Sequence, residues 1–114
     1  INIKRIFKDN RLMRATTGLS IKGFDSLAPK FSKALYEIQF QQYEEGIRAG
    51  TRQRKPGAGA KGRLKTMQLK LFFILMYFKA YPTMDVMGLF FDLDRANVKH
   101  QIDNLTPILE SALG

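Results

Sequence analysis

Eight consecutive apolar residues, Leu71-Phe-Phe-Ile-Leu-Met-Tyr-Phe78, constrain this chain more than any other feature. A surface helix keeps a polar face and a surface strand alternates. This run does neither, so it must be covered on several sides. It falls far short of the ~20 residues that span a bilayer. A buried strand would satisfy the run as well as a buried helix. Its Leu, Met and Phe content and the polar lead-in Thr66-Met-Gln-Leu-Lys70 favour helix. Thr66 is placed to cap a helix from Met67 to about Ala80, and Tyr81-Pro82 stops it.

The flanking segments must then be amphipathic partners. Residues 3–15 carry Ile3, Ile6, Phe7 and Met13 on one side, a weak helix broken by Thr16-Thr17-Gly18. Ser20 caps a second helix, where Ile21, Phe24, Ala28, Phe31, Leu35 and Ile38 keep helical spacing. The pattern continues through Phe40 and Tyr43 to about Ile47, and Gly50 ends it. Pro29 lacks an amide donor and predicts a kink or a split. Tyr36, Phe40 and Tyr43 form a second apolar strip, either packed on the central helix or left for a partner or another domain. The aromatics Phe72, Phe73, Tyr77, Phe78, Phe90 and Phe91, interleaved with Leu, Ile and Met, read as core rather than as a base-stacking platform.

Downstream, Thr83 caps a short helix from Met84 to Phe90 or Phe91, with Asp85 in its first turn. Asp92-Leu93-Asp94 makes a tight connection, with Leu93 plugging the core and Asp94 capping a helix from Arg95 to about Leu105. Thr106-Pro107 restarts a last turn or two containing Ile108, Leu109 and Leu113. The expected fold class is all-α. It comprises a helical N-terminal arm (1–47), a basic flexible loop (48–65) and a C-terminal helix-turn-helix (66–114).

Charge narrows the function classes. The 114 residues hold 19 Lys+Arg against 10 Asp+Glu, a formal net charge of +9. Eight of the cations lie between Arg48 and Lys70 with no acidic residue among them, and the remainder of the chain nets +1. The stretch Gly50–Arg63 holds four glycines and a proline, a composition with high chain entropy and little to bury. Such a segment favours a polyanionic partner. Its cations Arg48, Arg52, Arg54, Lys55, Lys61, Arg63 and Lys65 are the candidate phosphate contacts.

Other chemistries are poorly served. With no cysteine there is no disulfide, thiol nucleophile or Cys-built zinc site. His100 is the single histidine, so no ordinary metal site is available. Asp85, Asp92 and Asp94 are better read as caps and first-turn charges than as a two-metal pair. Gly57-Ala-Gly-Ala-Lys-Gly62 lacks the ending of a P-loop. The chain is therefore expected to be no enzyme and to carry no cofactor or metal. No signal-peptide pattern follows Ile1, no membrane partner is expected, and the termini at Ile1 and Gly114 read as those of a piece of a longer protein.

Two short helices joined by about three residues form a helix-turn-helix. The second helix offers Arg95, Asn97, Lys99, His100 and Gln101, side chains of the kinds that read base edges in a major groove. The alternative is a plain helical hairpin with a polar solvent face.

The match extends beyond this motif. Phe73-Ile-Leu-Met-Tyr-Phe-Lys-Ala-Tyr-Pro-Thr83, Val86-Met-Gly-Leu-Phe90, Leu93 with Val98, and Leu105-Thr-Pro-Ile-Leu-Glu-Ser-Ala-Leu-Gly114 carry it. So do the Thr17-Gly18-Leu19-Ser20 step and the basic loop. Together, from about residue 13 onward, they resemble the helix-turn-helix region that precedes the catalytic domain in DDE-type insertion-sequence and Harbinger-like transposases. That resemblance implies binding of double-stranded DNA at terminal inverted repeats, with the bases read from Arg95, Asn97, Lys99, His100 and Gln101. It also implies a nuclease triad beyond Gly114, and a site of action in the bacterial nucleoid or the eukaryotic nucleus. At Asp94, Asn97 and Gln101 the chain departs from the family pattern, and Asp94 is read as a cap. The competing readings are a helical interaction or regulatory module with general polyanion affinity, and a helix-turn-helix transcription regulator. Self-association, or contact with a catalytic domain, is a further expectation.

Overall fold

In the computed structural model, residues 3–50 and 64–114 are described, and all secondary structure among them is helical. The order is α1 (Ile3–Ile6), α2 (Asn10–Thr17), α3 (Ile21–Ala49), α4 (Met67–Ala80), α5 (Met84–Phe91) and α6 (Arg95–Leu113). The apolar run forms the middle of α4, with Leu71, Phe72, Phe73, Ile74 and Met76 buried. α2 packs on α4, α3 packs on α6 and α4, and α6 also contacts α4 and α5. Coverage on several sides is what an all-round apolar helix requires. Among the described residues no helix is long and apolar enough to cross a membrane.

One core draws on both halves of the chain. Ile6, Met13, Phe24, Phe31 and Ala34 from the N-terminal region meet Phe72, Phe73, Met87, Val98 and Leu105. The N-terminal region is thus an arm only beyond Ile38, since α1, α2 and the first half of α3 are built into the body. Ring contacts tie the layers together, with Phe7 set edge-on to Phe24 at 5.3 Å and Phe73 edge-on to Phe91 at 4.9 Å.

Hydroxyl and carboxylate caps set the helix starts. Ser20 accepts from the Gly23 amide at 3.0 Å, Thr66 from Leu69 at 3.1 Å and Thr83 from Val86 at 3.1 Å. Each satisfies an amide that has no partner inside its helix. The expected helix over 3–15 is instead two, because Asp9 is extended and caps α2, its Oδ1 accepting from the Arg11 and Leu12 amides. α4 ends as expected at Tyr81, which takes a left-handed conformation with φ 50°.

Both prolines expected to interrupt helices fail to do so. α3 runs unbroken through Pro29, and α6 runs through Pro107 to Leu113 rather than restarting there. In each case the proline removes the amide that would bond to the carbonyl four residues earlier. Those residues, Asp25 and Asp103, are exposed like the prolines themselves, so water can take the missing amide's place. Burial of the opposite faces holds both helices together.

Candidate nucleic-acid interface

The α5–turn–α6 unit is locked at one residue. Asp92 is left-handed at φ 58°, and its amide donates to the Gly88 carbonyl. The Leu93 amide donates to the same carbonyl at 2.8 Å. The turn then folds back over Gly88, which is buried. A Cβ on Gly88 would fall inside the van der Waals envelope of the Leu93 carbonyl oxygen, with Val98 also adjacent. Leu93 is partly buried against the core, as its position in the turn predicts. Asp94 starts α6, its Oδ1 accepting from the Asn97 amide at 2.8 Å. Asp94→Ala should therefore lower stability by about 1 kcal/mol in urea unfolding. A change below about 0.3 kcal/mol would show that this cap is dispensable.

Val98, Ile102, Leu105, Ile108 and Leu109 bury one side of α6 and leave a polar side exposed. The five candidate base readers do not form one cluster there. Arg95 and Lys99 share a line with Asp103 at i, i+4, i+8, and both cations already face carboxylates. The Arg95 Nε lies 3.6 Å from Asp85, and the Lys99 Nζ 3.2 Å from Asp103. Asn97 and His100 lie on a second line with Asn104, whose amide is 3.0 Å from His100 Nε2. Gln101 is half-buried at the edge nearest the core, while the other four are exposed. The accessible readers thus divide into a paired cationic line and an uncharged polar line. Asn104 belongs to the second line and to the same polar face, though it is not among the five candidate base readers. Its i+4 relation to His100 is the signal that adds it to them.

Of the candidate phosphate contacts, Arg48 and Lys65 are exposed at the two ends of the segment. Arg52, Arg54, Lys55, Lys61 and Arg63 lie outside the described residues. A second cationic stretch lies in the N-terminal third. Residues 1–33 hold eight Lys/Arg against two Asp, and Lys4, Arg5, Lys8, Arg11, Arg14, Lys22, Lys30 and Lys33 are all exposed. The acidic residues of α3 and of the α5–α6 region offset this block, and so the chain outside 48–70 came out nearly neutral.

The carboxylates around the turn have structural partners or places: Asp94 caps α6, Asp85 faces Arg95, and Asp92 occupies the end of α5. Among the described residues no three His, Asp or Glu side chains come together as a metal site would require. Comparison with known proteins finds no matching family model, no matching curated relative and no matching solved structure.

Proposed function

We propose that this chain binds double-stranded DNA in a sequence-dependent way, with α6 entering the major groove. The supporting observation is the helix-turn-helix geometry itself: two helices joined by three residues and locked at Gly88, with a polar face of α6 left exposed. The segment 71–114 holds three Lys/Arg against five Asp/Glu, so it supplies selectivity better than attraction. Attraction comes from the cations of 48–70 and of the N-terminal third, since phosphate contacts dominate affinity. Resemblance to DDE-type transposases extends the proposal to binding at transposon terminal inverted repeats, as the recognition part of a transposase acting in the nucleoid or nucleus. Catalysis would then belong to a separate domain.

Selection of bound duplexes from a random pool near physiological salt tests the reading. Enrichment of one motif is expected, and that motif should recur in the inverted repeats bracketing the element that encodes the chain. Recovery of no motif would leave a general polyanion-binding module as the better description. A motif found upstream of genes instead would indicate a transcription regulator.

The Lys99–Asp103 pair gives a second check. Its side chains are 71% and 62% exposed, so its contribution to stability is small. Asp103→Asn releases Lys99 toward phosphate. Affinity for any duplex should rise, and the log–log salt dependence should steepen by up to about 0.9. A slope unchanged in an anisotropy titration would remove Lys99 from the interface.

A further inference from the structure

We infer that the C-terminal half of α3 pairs in parallel with the same helix of a second copy of this chain, as a short two-stranded coiled coil. The inference is independent of whether α6 reads DNA.

It starts from a change of face within one helix. In its first half α3 turns Phe24, Ala28, Phe31 and Ala34 toward the core. Past Ala34 only Leu35 and Ile38 still pack, partly buried, against the core, and a second apolar line opens with Tyr36, Phe40, Tyr43 and Ile47, none of them fully buried. At 3.6 residues per turn, this second line lies roughly 140° around the helix from the first. The stripe therefore cannot reach the chain's own core while α3 stays helical. Tyr36 is 60% exposed, Phe40 42% and Ile47 46%. The Tyr36 and Phe40 rings stack at 6.1 Å and the Tyr43 ring is tilted against Phe40 at 6.2 Å, with a groove of about 270 Å³ beside them.

Spacing and charge identify the occupant. Steps of four, three and four residues are a heptad seam, with Phe40 and Ile47 at a and Tyr36 and Tyr43 at d. Such a seam is complementary to its own copy. In an antiparallel pair the flanking e positions face each other, bringing Glu37 against Glu44 of the other copy on both sides. In a parallel pair each e position faces a g position. Glu37 then meets Ser32 and Glu44 meets Gln39, neutral groups that can donate to a carboxylate. Charge at the e positions favours the parallel arrangement, in which Lys33, at the a position before Phe40, lies one turn from Glu37.

Area sets the strength. Covering this stripe removes on the order of 400 Å² per copy, about half of the ~800 Å² per partner in a standard interface. An interface of this size makes a weak, reversible dimer.

Sedimentation equilibrium of the 114-residue chain from about 10 µM to 1 mM, a range suited to a weak dimer, should show the mass rising from 13.1 kDa toward twice that value. Phe40→Ser should weaken dimerisation by about tenfold or more, while helix content and melting temperature stay unchanged, because Phe40 is outside the core. A constant monomer mass, or dimerisation indifferent to Phe40→Ser, overturns the inference. Since the chain has no cysteine, single-cysteine variants report the orientation. In a parallel pair Phe40→Cys cross-links to itself rapidly under oxidant, and Glu45→Cys on the outer side does not. Preferential mixed cross-linking of Phe40→Cys with Tyr43→Cys would establish an antiparallel pair and overturn the parallel assignment.

Discussion

Gly88→Ala is expected to destabilise the chain by about 3 kcal/mol, against the ordinary direction of such a change. Replacing glycine by alanine inside a helix usually gains up to about 1 kcal/mol, because alanine loses less backbone entropy. At Gly88 the added methyl meets a backbone carbonyl, that of Leu93, rather than a movable side-chain tip. To relieve the contact the turn must lift, taking Leu93 from the core and weakening the two amide bonds to the Gly88 carbonyl. Overpacking therefore outweighs propensity. Melting temperature should fall on the order of 10 °C, and the position of α6 against α5 should shift with it. Gly23 supplies an internal control. A Cβ there meets the Ser20 hydroxyl at 3.4 Å and Leu19 side-chain atoms at 3.6 and 3.9 Å. Gly23→Ala should be neutral or stabilising by up to about 1 kcal/mol. Equal melting temperatures for Gly88→Ala and the parent chain would mean that the turn does not depend on this contact.

The second large effect separates attraction from readout. Replacing Arg52, Arg54 and Lys55 by glutamine should weaken binding to all duplexes alike and flatten the log–log salt dependence by roughly 2.7, at about 0.9 per phosphate contact. Asn97→Ala, on the uncharged line of α6, should leave that slope intact. Its cost is expected at particular base pairs, about 1–3 kcal/mol each. Anisotropy titrations of a selected duplex and a scrambled one, at four or more salt concentrations, measure both. If the triple variant changed sequence preference and Asn97→Ala changed only the salt slope, the two roles would be reversed.

Much of the architecture is legible in the residues because it is local. A hydroxyl or carboxylate ahead of an apolar periodic stretch announces a helix start, and Ser20, Thr66, Thr83 and Asp94 all behave so. The features that escape depend on the third dimension. Whether Pro29 or Pro107 breaks a helix is decided by which side of it faces water, and that follows only from packing. Gly88 looks like any weak helical residue until the path of the following turn is known. Likewise, the second apolar strip of α3 is visible in the residues, but that Tyr36 and Phe40 stay exposed while Leu35 and Ile38 pack on the core is not. The N-terminal cations illustrate a different failure. They were visible in the residue counts but cancelled against the acidic positions of α3, α5 and α6. At the candidate interface, the residue types on α6 could be read directly. Their division into two lines, one already engaged with Asp85 and Asp103, could not.

The uninterrupted course of α6 has a mechanical consequence. Over 19 residues it spans about 28 Å, buried along its apolar side from Val98 to Leu109 and helical through Pro107. A tilt of a few degrees imposed at Arg95 becomes a displacement of an ångström or more at Leu113, for a rigid lever of that length. Whatever engages the first turns of this helix is therefore felt at the far end of the domain.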